Sequence, residues 1–112
     1  MRALWLVLAI AATGCATNVG PEGLVIGGPC IDEFDCANGS YCIRRSDFPN
    51  GTCTTNCRDD GDCRGDSRCA ELESGVCLLS CETDPDCGRE GYTCRSLAAH
   101  GLPEQISVCS GG

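Results

Sequence analysis

Cys57-Arg-Asp-Asp-Gly-Asp-Cys63-Arg-Gly-Asp-Ser-Arg-Cys69, closing at Gly75-Val76-Cys77, is the shortest of three near-copies in this chain. Upstream, Cys30-Ile-Asp-Glu-Phe-Asp-Cys36-Ala-Asn-Gly-Ser-Tyr-Cys42 closes at Gly51-Thr52-Cys53. Downstream, Cys81-Glu-Thr-Asp-Pro-Asp-Cys87-Gly-Arg-Glu-Gly-Tyr-Thr-Cys94 closes at Ser107-Val108-Cys109. Five residues always separate the first two cysteines, and five, five and six separate the second from the third. Only the stretch before the fourth cysteine varies freely, at ten, seven and fourteen residues. Such repetition predicts three tandem modules, 30–53, 57–77 and 81–109, joined by the bridges Thr54-Thr55-Asn56 and Leu78-Leu79-Ser80.

A module this short cannot bury enough surface to offset its ordering entropy. Beyond Cys15 the chain holds four aromatic residues, Phe34, Tyr41, Phe48 and Tyr92. Cross-links must therefore supply what the core lacks, each disulfide contributing about 2–4 kcal/mol. The expected fold class is small and disulfide-rich: three four-cysteine modules of turns and short β-strands, with little regular secondary structure. One helix is expected, over Ser96-Leu97-Ala98-Ala99-His100, capped by Ser96 and ended by Gly101 and Pro103. Disulfides at this density place the chain outside the reducing cytosol. Zinc is the competing use of clustered cysteines, but its sites favour Cys-x-x-Cys pairs and histidine. Neither fits here, where the only histidine is His100.

The thirteenth cysteine, Cys15, stands apart. Before it, Met1-Arg2 is followed by an apolar run from Ala3 to Ala12. That run is too short to span a bilayer, which takes about 20 residues. A basic start, an apolar stretch and then small residues mark residues 1–14 as a signal peptide. Ala12-Thr13-Gly14-Cys15 resembles the lipobox of bacterial lipoproteins, departing from its commonest form by Ala12 in place of Leu. The resemblance implies that Cys15 is acylated, palmitate included, and becomes the first residue of the mature chain. Membrane lipid, met through Cys15, is then the first partner. Ala16 rather than Asp after Cys15 implies the outer membrane by Gram-negative sorting rules. The alternative is ordinary signal peptidase cleavage and a secreted protein. Parity favours the lipid, because twelve cysteines remain once Cys15 is set aside. Residues 15–29 read as the lipidated cysteine and a flexible tether, since Ala16 to Pro29 holds four Gly and two Pro. Such a spacer has a reach of about 20 Å. A second reading packs Leu24-Val25-Ile26 on the first module as an edge strand.

The cysteine pattern is similar to the small repeats of exported proteins in myxobacteria-like proteobacteria, and to dickkopf and colipase-type modules. Spacing alone leaves three connectivities open for four cysteines. The resemblance implies first-to-third and second-to-fourth pairing: Cys30–Cys42 and Cys36–Cys53, Cys57–Cys69 and Cys63–Cys77, Cys81–Cys94 and Cys87–Cys109.

Every module carries Asp just before its second cysteine (Asp35, Asp62, Asp86) and an acid two positions earlier (Glu33, Asp60, Asp84). Such carboxylates could collect calcium, and Asp59, Asp60 and Asp62 are the candidate ligands. Calcium needs six to eight oxygens, however, and no full ligand set appears. Turn chemistry, in which Asp accepts from nearby backbone N–H groups, is the favoured reading. No cofactor is expected. Formal charge is −8, or −9 without Arg2, and all eight basic residues are Arg. A surface so acidic argues against nucleic acid and anionic lipid as partners. Arg64-Gly65-Asp66 spells the tripeptide integrins recognise, in a region where Gly and Asp belong to turns anyway.

An enzyme is not expected. There is no Lys, no phosphate loop and no metal-binding His pair. The expected function is a non-catalytic cell-envelope lipoprotein whose rigid loops contact protein or glycan, or serve the envelope structurally. One alternative is a protease inhibitor presenting Ile43–Thr52, with its Arg44-Arg45 pair, or Arg95–Val108. Another is a calcium-dependent adhesion module.

Overall fold

The computed structural model describes residues 18–111. The leader 1–14 and Cys15 therefore lie outside the described residues. The fold is small and disulfide-rich, built from one unit used three times. After its first cysteine each unit makes one 3₁₀ turn: Glu33–Asp35, Asp60–Asp62 and Asp84–Cys87. A two-stranded antiparallel hairpin follows. Its strands are β1 (Tyr41–Ile43) and β2 (Thr52–Thr54), β3 (Ser67–Ala70) and β4 (Val76–Leu79), and β5 (Thr93–Ala98) and β6 (Gln105–Ser110).

The third and fourth cysteines of a module face each other across its hairpin: Cys42 opposite Cys53, Cys69 opposite Cys77, Cys94 opposite Cys109. They do not bond to each other. The third reaches back to the first and the fourth to the second, which ties the turn beneath the hairpin. The six bridges are Cys30–Cys42, Cys36–Cys53, Cys57–Cys69, Cys63–Cys77, Cys81–Cys94 and Cys87–Cys109. These are the pairs that the family resemblance implies.

Each hairpin also receives a third backbone segment from the chain that enters its module. The Cys77 N–H donates to Thr55 O and the Cys81 N–H to Ser107 O, both across a bridge segment. Isolated β-bridges join Asn56 to Val76 and Ser80 to Val108. Residues 27 and 28 do the same for the first module: Gly27 N–H donates to Cys53 O, and Cys53 N–H to Gly28 O. Backbone groups that would otherwise be buried and unpaired are satisfied this way.

This corrects the flexible-tether reading for residues 18–29. The segment is a strap. Val19 pairs with Ile26, and the Ala37 N–H of module 1 donates to Leu24 O. Ile26 is fully buried. Val19 lies against Gly65 of module 2 and Pro21 against Gly88 of module 3, where an added Cβ would stand 3.2 and 2.6 Å away. Three glycines of this segment, Gly23, Gly27 and Gly28, instead allow close approach: a Cβ on Gly27 would stand 2.3 Å from Gly20 O and 2.9 Å from Leu79.

The expected helix at Ser96–His100 is also corrected. Ser96, Leu97 and Ala98 belong to β5, paired with Ser107, Ile106 and Gln105. A five-residue helix carries the full nucleation cost and few hydrogen bonds. The fourteen-residue loop is long enough to double back, so the hairpin ladder satisfies the same backbone groups. Ser96 Oγ donates to Gln105 Oε1 (3.1 Å) instead of capping.

The modules share one core. Ile26 and the buried residues of all three, among them Phe48, Leu78, Val76 and Val108, form a single contiguous apolar cluster. Module 3 meets module 2 where the Glu71 N–H donates to Ala98 O and the His100 N–H to Cys69 O. It meets module 1 through Arg89 and Tyr92. Arg89 donates to the carbonyls of Gly27, Pro49 and Gly51 and to Thr52 Oγ1, at 2.8–3.2 Å. Its guanidinium lies 4.3 Å from the Tyr92 ring centre. Tyr92 Oη donates to Pro49 O (2.9 Å) and shares a 2.7 Å hydrogen bond with Thr52 Oγ1. Burial lowers the Arg89 pKa and raises that of Tyr92.

Candidate functional site

The acids occupy the turns, and five of the six, all but Glu33, accept a hydrogen bond from the fold. Asp35 accepts from the N–H of Ile31 (2.7 Å) and of Asp32 (3.3 Å). Asp62 accepts from the Arg58 N–H (2.9 Å) and guanidinium (3.1 Å), and Asp86 from the N–H groups of Glu82 (2.9 Å) and Thr83 (3.0 Å). The Asp before the second cysteine thus laces the turn to the residue after the first cysteine. These bonds favour the carboxylate and hold all three groups below the ordinary range. Backbone N–H groups act on Asp35 and Asp86, and chiefly the Arg58 guanidinium acts on Asp62.

The earlier acid ties the turn to the hairpin. Asp60 Oδ1 accepts from the Cys69 N–H (2.8 Å), and Asp84 Oδ1 from the Cys94 N–H (2.9 Å). In module 1 this acid is Glu33, and no hydrogen bond joins it to Cys42. Glu33 is exposed.

Asp59, Asp60 and Asp62 are therefore engaged with donors of the fold: Asp59 accepts from the Gly61 N–H (2.8 Å), and Asp60 also pairs with Arg68 (2.8 Å). They form no group of converging ligand atoms. Among the described residues, such groups of three or more within 4.8 Å are Cys30, Cys36 and Cys53; Cys57, Cys63 and Cys77; and Cys81, Cys87 and Cys109. Every one of those sulfurs is in a disulfide, which removes the thiolate a metal would need.

The two variable loops are anchored, not free. In Ile43–Thr52, Phe48, Gly51 and Thr52 are buried, and the Pro49 and Gly51 carbonyls are held by Arg89. Arg45 is paired with Asp47 and Glu73, whereas Arg44 is exposed and has no ion-pair partner among the described residues. In Arg95–Val108 most of the backbone is hairpin, and the tip returns to module 2. There His100 Nδ1 lies 2.8 Å from Glu71 Oε1, and its ring stands over Gly75. His100 is a docking residue for this loop. Residues Gly101 to Gln105 remain exposed.

Open clefts mark the surface. One runs between the strap (Val19, Pro21), module 2 (Arg64, Arg68) and module 3 (Ile106), and Arg64-Gly65-Asp66 lies on its wall. Another is confined to module 1, against Pro29, Ile31, Arg44 and Pro49. The first was not visible from single modules, because its walls come from segments distant in sequence. No helix of the described residues is long and apolar enough to cross a membrane. No family model matches the chain, and neither a curated protein nor a solved structure does.

Proposed function

We propose that this chain is a non-catalytic, exported lipoprotein, held to the bacterial envelope by acylated Cys15, whose disulfide-locked body is displayed for contact with extracellular protein or glycan. One observation carries this reading: all twelve module cysteines are closed into six intramodular bridges. Cys15 alone is left over, at the end of an apolar leader that reads as a signal peptide. Such cross-linking requires an oxidising compartment. A body pinned in this way presents loops at little entropic cost on binding. The protease-inhibitor reading has less support, because an inhibitory loop offers an exposed, extended main chain, whereas much of both candidate loops is engaged: the Pro49 and Gly51 carbonyls with Arg89, and 95–98 and 105–108 in the hairpin.

The strap shapes the proposal. From Cys15 to Asn18 the chain advances three residues, at most about 11 Å. An acylated Cys15 would then keep the body close against the bilayer rather than on a long stalk.

Detergent-phase partitioning and intact mass test this reading. The native protein is expected in the detergent phase, starting at Cys15, with acyl mass on that residue and a gain of twelve hydrogens on reduction of its six bridges. Cys15→Ser should abolish the acyl mass. A native protein in the aqueous phase with an unmodified Cys15 overturns the anchor.

A further inference from the structure

The three turns are equivalent in backbone but not in what they display. One and four residues after the first cysteine stand Ile31 and Phe34 in module 1, Arg58 and Gly61 in module 2, Glu82 and Pro85 in module 3. The turn itself needs neither apolar side chain, since the other two modules form it without them. Yet Ile31 is 71% and Phe34 88% exposed, and Phe34 is the most exposed large apolar side chain of the described residues.

Beside this protrusion lies the module 1 cleft. Ile31 is part of its wall, together with Pro29, Arg44, Phe48 and Pro49. Knob and hollow therefore share an edge. The charges around them divide in the same way. Asp32 and Asp35 are committed to turn N–H groups, and Arg45 to Asp47 and Glu73. Within module 1, two opposite charges remain exposed with neither an ion-pair nor a hydrogen-bond partner among the described residues: Glu33, next to Phe34, and Arg44, on the cleft wall.

We infer that module 1 is a self-association surface, on which two copies pair about a two-fold axis. Each Phe34 enters the other copy's cleft, and each Glu33 meets the other copy's Arg44. A two-fold interface uses one patch on both copies, so a protrusion on that patch must meet a hollow on the same patch. An aromatic side chain seated in a pocket is the usual energetic centre of an interface, and Arg44 would bear on the inserted ring as a cation on a π face. A second copy is favoured over a foreign partner because the apolar donor, its receptor and both unpaired charges belong to one module. The net charge of −8 opposes association at a distance. Screening over about 8 Å at physiological salt leaves the decision to contact pairs. The inference does not depend on how Cys15 is processed.

The test is photocross-linking of the full chain, expressed and exported in its host, with benzoylphenylalanine in place of Phe34. The expected product has twice the monomer mass, with the cross-link mapping to the cleft wall, residues 29–31 or 44–51. No dimeric adduct, an adduct with another protein, or a cross-link elsewhere overturns the inference. In this background Glu33→Arg and Arg44→Glu should each lower the dimer yield about fivefold, the scale of exposed ion pairs lost twice per dimer. The double charge reversal should return it to within about twofold of the parent. Failure of the double variant to recover, with its six disulfides verified by peptide mass, also overturns the inference.

Discussion

Modules 2 and 3 share one disulfide frame and do different things with it. Seven residues join the third and fourth cysteines of module 2, and fourteen do so in module 3. The short loop closes β3 on β4 through Glu73, Ser74 and Gly75, all at positive φ, and the whole of β4 is buried. The long loop extends the ladder to six pairs, leaves alternate residues of β6 exposed at its outer end, and returns to lean on module 2 through Ala99 and His100. Module 2 is the centre that its neighbours pack on, whereas module 3 is an arm. With the frame held constant, loop length decides which.

The largest expected effect breaks that comparison at the disulfides. Removing Cys63–Cys77 by paired Ala substitution should cost about 4–5 kcal/mol, the upper end of the usual range, because β4 packs against both neighbours. Removing Cys87–Cys109 should cost about 2–3 kcal/mol, although it closes the longer loop. Guanidinium unfolding of the oxidised proteins measures both. Equal losses, or a larger one in module 3, would mean that chain entropy and not position dominates.

A smaller effect sharpens the comparison at the residue two places before the fourth cysteine. In module 2 this is Gly75, at φ +107°, where an added Cβ would stand 2.3 Å from Cys57 O and 2.9 Å from the His100 ring. In module 3 it is Ser107, within a regular strand. Gly75→Ala should destabilise by about 1–3 kcal/mol, and Ser107→Ala by less than about 0.5 kcal/mol. Thermal unfolding compares them. A tolerated Gly75→Ala would mean that the close approach of module 3 is not required.

The smallest effect concerns pH. Asp62 and Asp86 are held below the ordinary carboxylate value of about 3.9. A depressed folded-state pKa adds stability that is present above that ordinary value and lost as pH falls through the folded one. Acid should therefore loosen both turns below about pH 4. Salt at 1 M should raise the Asp62 pKa, which leans on the Arg58 guanidinium, more than that of Asp86, which leans on backbone N–H groups. Carboxylate NMR titrations at two salt concentrations read this directly. An identical salt response would remove the distinction between the two turns.

The acids were legible because their work is local. Asp35, Asp62 and Asp86 bond within four residues, and a turn of that size can be read from spacing. Their second role was not legible: Asp60 and Asp84 reach the third cysteine's N–H, nine and ten residues on. Composition suggested a tether for the strap, whereas the second reading, Leu24-Val25-Ile26 packed on module 1, agrees with the buried Ile26 and the bonds to Leu24 O and Val25 O. Gly and Pro suggest freedom when neighbours are unknown, but residues 27–28 occupy the position that Thr54-Thr55-Asn56 and Leu78-Leu79-Ser80 take for the later modules. That parallel was in the repeat and is the signal that could have found it. Ser96–His100 carried helix-like end signals, and a long-range ladder overrode them. Nothing near Arg89 in sequence announces that its partners lie in module 1.

Taken alone, the order of residues determined a small disulfide-rich fold of three four-cysteine groups with short strand pairs, because cysteine spacing and turn acids act over a few residues. Only the tertiary structure decided that the modules form one body around a shared core, that a glycine-rich strap closes them together, and that the variable loops serve partly as docking surfaces. Those outcomes depend on apolar faces too small to be buried alone. Where such faces find each other is set by three-dimensional packing and not by position along the chain.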